Sequence, residues 1–74
     1  MKKKLSEMKY GEEGTVTDIE QTLRKQVAGM GIRVNKNLKM ITKQPMNGPV
    51  VVVVDSANTS LGLDVAAKIT VEVK

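Results

Sequence analysis

The sequence predicts a small, mainly β protein: a curled barrel of about five strands, with one helix inserted early and a short helical turn before the last strand. Three observations predict it. Apolar residues make up 41% of the 74 and are nearly all Val, Ile, Leu and Met, with Tyr10 the only aromatic; a core rich in β-branched side chains favours strands. Five consecutive valines, Val50 to Val54, are too few for a buried helix and strongly β-prone. At the end of the chain Ile69, Val71 and Val73 alternate with Thr70, Glu72 and Lys74, the period-two pattern of a half-buried strand. Closure into a barrel also removes the hazard of a valine run lying on an open edge.

The elements follow in order. Ser6 caps a single helical turn that brings Leu5 and Met8 to one side. Gly11 and Gly14 bracket Glu12-Glu13 as a turn into a strand over 15–20. Val16 and Ile19 are out of phase there, so either one faces outward or a bulge re-aims the chain near Thr17. Gln21 to Met30 reads as a helix with Thr22 as N-cap, an apolar stripe of Leu23, Val27 and Met30, and Gly31 as its C-terminal cap. Asn35 suits a second left-handed position. Leu38 to Lys43 is a strand with Leu38 and Met40 inward, and Pro45 to Pro49 is the clearest turn. The valine strand follows, then a turn over 55–58, a short strand over 59–61 and a helical turn over 63–67.

Length and composition set the function classes. Seventy-four residues make one domain, 1–74, near the lower size limit for folding without disulfides, and there is no cysteine. The absence of histidine as well removes the usual general acid–base group and the borderline ligands of zinc, copper and iron sites. An enzyme, a resident cofactor and a metal site are therefore not expected. The net charge of +4 comes from twelve basic and eight acidic residues. Three of the positive charges are Lys2, Lys3 and Lys4, read as a flexible basic tail over residues 1–4. No apolar core follows that basic start and no segment approaches a membrane span, so the expected location is cytoplasmic.

Taken together, the frame resembles the FeoA family, small cytosolic partners of the ferrous-iron transporter FeoB. The resemblance runs from Leu5 to Val71. It is carried by Leu5, Met8, Gly11, Gly14, Val16 and Ile19 at their spacing, then Met30-Gly31-Ile32, Leu38 with Met40, Pro45 with Gly48-Pro49, Ser60-Leu61-Gly62, and Ala66, Ile69 and Val71. Asn35 stands where the family usually has Gly, Gly62 where many members have Arg, and Asp55-Ser56 where a Gly is expected. The resemblance implies an SH3-like barrel and a non-enzymatic adaptor that binds the cytosolic GTPase region of FeoB. It also implies an alternative, a stand-alone relative of the C-terminal domain of DtxR-type metal-dependent repressors.

Partner binding is assigned to Arg24, Lys25 and Val27 on the helix and to Met46 at the tip of the Pro-rich turn, where an adaptable thioether suits docking. A second alternative is nucleic-acid binding by the basic set Arg24, Lys25, Arg33, Lys36, Lys39 and Lys43. One tyrosine supplies no stacking platform for bases, so nucleic acid is not the expected partner. A third, self-association, requires an open edge on the valine strand.

Overall fold

The computed structural model describes residues 1–43 and 48–74. Six strands form one antiparallel sheet: β1 (Lys2–Lys4), β2 (Glu13–Ile19), β3 (Asn37–Lys43), β4 (Val50–Val54), β5 (Ala57–Leu61) and β6 (Ile69–Val73), in the order β1-β6-β2-β3-β4-β5. A flat sheet of six strands would be about 24 Å wide and one backbone thick at the usual strand spacing. The molecule instead measures 27 × 23 × 23 Å, so the sheet curls on itself around its apolar side. Residues buried there come from every strand except β1 and include Val16, Leu38, Met40, Val52, Leu61 and Val71; none of the buried residues described is polar.

The ladder resolves the phase conflict in β2. Val16 pairs with Val71 and Asp18 with Thr70, so Thr17 is the extra residue of a bulge, and both Val16 and Ile19 reach the core. A second register shift falls between Met40 and Thr42. β4 alternates buried and half-buried valines and is paired on both sides, by β3 and by β5. The open edge that self-association requires is therefore not on the valine strand. At the β4–β5 hairpin Asp55 and Ser56 both have positive φ, 51° and 66°, between the paired residues Val54 and Ala57. That is the two-residue turn whose twist matches the strands, and it starts β5 two residues earlier than the sequence reading.

The chain start and the extent of the first helical region depart from expectation. Lys2–Lys4 form β1, an edge strand on β6, rather than a flexible tail. The lysines do not form a strand by propensity; they are held by β6 and by the Lys3 ammonium, 3.1 Å from a Glu12 carboxylate oxygen. The early helix is also shorter than Gln21–Met30. A 3-10 turn over Gln21–Leu23 runs into α1 (Arg24–Ala28), and the Thr22 hydroxyl donates to Glu20 at 2.8 Å instead of capping.

The end of α1 is as expected. Ile32 N–H donates to Val27 C=O at 3.0 Å and Gly31 N–H to Ala28 C=O at 3.0 Å, with Gly31 at φ 85°. This is the Schellman arrangement, completed by the apolar pair Val27 and Ile32, both fully buried. The turn Leu5–Glu7 buries Leu5 and Met8 as expected, but Lys4, not Ser6, holds its N-cap position. The helical turn before the last strand is α2 (Leu63–Ala66). Gly14 is required by packing: a Cβ there would lie 2.5 Å from both Glu72 O and Val71 Cγ1.

Candidate partner-binding face

The candidate face is built on α1 and the segment that follows it. Arg24 and Lys25 are exposed on α1. Arg24 Nε donates to Ile19 C=O at 3.0 Å and Nη2 to an Asp18 carboxylate oxygen at 3.3 Å, which fixes the guanidinium against the end of β2. Val27 is a correction: it is fully buried on the core side of α1 and supports the face from beneath without forming part of it. Met30, expected in the apolar stripe, is instead 37% exposed past the helix end. Met46 lies outside the described residues.

Sequence reasoning did not assign Arg33 and Val34 to the face as a pair. Together with Arg24, Ala28, Ile19 and Ile32 they line a cleft of about 320 Å³. Val34 is 39% exposed although apolar. The segment is pinned rather than loose, because Asn35 N–H donates to Val16 C=O at 2.7 Å and Val16 N–H to Lys36 C=O at 2.8 Å. Asn35 has φ 76°, the left-handed position expected of it. Lys36 extends to Asp55 at 2.7 Å. The signal available in the sequence was an apolar valine between Arg33 and Asn35 just after a helix cap.

A second groove, about 350 Å³, is lined by Tyr10, Gly11, Lys39, Met40, Ile41 and Val53. Tyr10 is 79% exposed there. Among the described side chains the basic set is divided: Arg24 and Arg33 line one cleft, Lys39 lines another, and Lys36 pairs with Asp55. A nucleic-acid groove combines a basic track with aromatic stacking surfaces, and neither cleft's lining pairs several cations with an aromatic platform.

The carboxylates with shifted titration lie away from α1. Glu12 is held below its ordinary value by the Lys9 backbone N–H at 2.7 Å and then by the Lys3 ammonium. Glu72 is held low by its bond to the amino terminus. Among the described residues no three His, Cys, Asp or Glu side chains gather as a metal site, and no helix is long and apolar enough to cross a membrane.

A curled antiparallel sheet of this topology with an inserted helical turn is the architecture of an SH3-like domain. The FeoA domain profile matches residues 3–73, and the chain belongs to the FeoA family, non-enzymatic accessory proteins associated with ferrous iron transport. Among solved structures it is similar to an iron uptake regulatory protein (FeoA), 27% identical with a TM-score of 0.91, covering 100% of this chain and 99% of that one. The FeoA of Stenotrophomonas maltophilia, solved with zinc and described as a prokaryotic SH3 domain protein, shares the fold at 19% identity and a TM-score of 0.77, covering 97% of this chain and 89% of that one. A manganese-dependent transcriptional repressor is similar at 27% identity and a TM-score of 0.87, with 95% of this chain covering only 40% of the repressor. No curated protein matches the chain.

Proposed function

We propose that the protein is an adaptor that supports ferrous-iron uptake by binding the cytosolic GTPase region of FeoB through the α1 face. Family membership supports the iron-transport setting, and one observation carries the choice of face. Arg24 and Arg33, both exposed, line a preformed cleft together with the exposed apolar Val34, and Lys25 is exposed beside Arg24 on α1. Protein interfaces combine an apolar centre with a polar rim and are enriched in Arg, which Arg24, Arg33 and Val34 match. The adaptor acts by preference: to alter the GTPase or the gate it must bind one state of FeoB more tightly than the other. Location in the cytoplasm follows from that partner.

The test is an NMR titration of isotope-labelled protein with the cytosolic domain of FeoB from the same genome, in GDP and in a GTP analogue. Expected are shifts at Arg24, Lys25 and their neighbours, larger in one nucleotide state. Shifts confined to β1, β6 or the Tyr10 groove would move the contact elsewhere and defeat the assignment of this face.

A further inference from the structure

We infer that the cleft between α1 and the 32–34 segment recognises an acidic peptide segment carrying an aliphatic anchor residue. The inference rests on the adaptor reading for its biological setting and adds a ligand chemistry to the face. The cleft has four aliphatic residues among the six that line it: Ile19 and Ile32, both buried, with Ala28 and the exposed Val34. Its volume of about 320 Å³ is at the small end of ligand-sized clefts, which suits one or two aliphatic side chains rather than an extended ligand.

The rim decides the sign of the ligand. A guanidinium has five N–H donors, and Arg24 spends two of its own on Ile19 and Asp18, which orients the group and leaves its remaining edge available. Arg33, also lining the cleft, makes no ion pair among the described residues, and neither does Lys25 on α1. Of the carboxylates on the adjoining chain, Asp18 is engaged by Arg24, while Glu20 accepts the neutral Thr22 hydroxyl and keeps its charge but does not line the cleft. The cleft lining holds two guanidiniums and no carboxylate; with Arg24 paired to Asp18, the net positive charge there is that of Arg33 beside an apolar lining, and guanidinium forks match carboxylates. Nucleic acid is disfavoured because the lining has no aromatic to stack a base. The Tyr10 groove differs in charge, since its cation, Lys39, stands across the ladder from Glu13. The α1 cleft is also preformed: the helix cap and the two bonds to Val16 fix its walls, so little ordering cost accompanies binding.

The probe is a synthetic acetylated and amidated peptide, Asp-Glu-Leu-Glu-Asp, titrated into the labelled full chain. Two control peptides replace Leu by Ser or all four acidic residues by Lys. Shifts are expected at Ala28, Ile32, Arg33 and Val34 with the acidic leucine peptide only. Arg33→Glu should weaken that binding about two- to fivefold, the scale of a rim ion pair, while Lys39→Glu, with the same charge change in the other groove, should not. Equal binding by the lysine peptide, indifference to the leucine, shifts centred on Tyr10, or no shift at millimolar peptide would each overturn the inference. The two variants are then titrated with the FeoB domain. Peptide binding at the cleft together with FeoB binding that ignores Arg33→Glu upholds the ligand chemistry and rejects FeoB as its source.

Discussion

At the scale of the residue, Glu12 shows how one carboxylate ties the first strand to the loop before the second. It accepts the Lys9 backbone N–H and the Lys3 ammonium, and both hold its pKa below the ordinary value of 4.5. A depressed carboxylate stabilises the folded state at pH values above the unfolded pKa. That contribution disappears as pH falls through the lower folded-state value. Glu12→Gln keeps an oxygen for the Lys9 N–H and removes only the charge. The urea midpoint of the wild type should therefore exceed that of Glu12→Gln at pH 7, and the gap should close below the glutamate range. A gap that stays constant from pH 7 to pH 3 would show that the charge is not what stabilises this corner. None of this pairing was legible in the sequence, because adjacent Glu12 and Glu13 read as an ordinary solvated turn. By contrast Gly31 and Asn35 were legible, since a helix stripe ending at Gly, and Asn in a loop, each point to a local backbone requirement.

At the scale of the element, local chemistry was readable wherever period and punctuation agreed. The mismatch between Val16 and Ile19 in one strand required a bulge or an outward apolar residue, and the bulge at Thr17 is what forms. The extent of α1 was less legible, because whether Thr22 caps the helix or bonds Glu20 depends on how β2 delivers the chain. β1 was not legible at all: three lysines carry no period, and their strand exists through long-range pairing with β6. The β4–β5 hairpin yields a prediction of its own. Its turn needs positive φ at two residues, and Asp55 and Ser56 adopt it without glycine. A left-handed L-residue costs roughly 1–2 kcal/mol, offset in part by the greater unfolded-state freedom of Gly. Ser56→Gly should thus stabilise the protein by about 0.5–1 kcal/mol, read as a rise in the urea midpoint with an unchanged slope. Asp55 is better left in place, because its carboxylate meets Lys36 at 2.7 Å. A lower midpoint for Ser56→Gly would mean that Ser56 makes a compensating interaction in the turn.

At the scale of the whole molecule, the fold is the balance of two large terms. The folded surface is 4547 Å², against about 11,700 Å² for an unfolded chain of this mass, so about 7,000 Å² is buried. If some 60% of that is apolar, its burial contributes about 110 kcal/mol, close to the cost of ordering the chain at about 1.5 kcal/mol per residue. With so small a difference, the candidate site and the core cannot be independent. This also explains why the site was only partly legible. Arg24 and Lys25 could be placed on a helix from the sequence, but the cleft brings together Ile19, Ala28 and Ile32 from separate segments, and its presence depends on how the core closes. Val27 is where the two meet: it is buried in the shared core directly under the face that bears Arg24 and Lys25. Val27→Ala should cost about 2 kcal/mol through lost burial and a residual cavity. In a domain of this size that lowers Tm by roughly 10 °C. Because Val27 belongs to the same apolar cluster as Val52 and Val71, protection from amide exchange should fall in β4 and β6 as well as in α1. Loss of protection confined to α1 and the 29–36 segment would instead make the candidate face a separately unfolding unit, and the proposed partner binding would then be coupled to local folding of that face rather than to a fixed one.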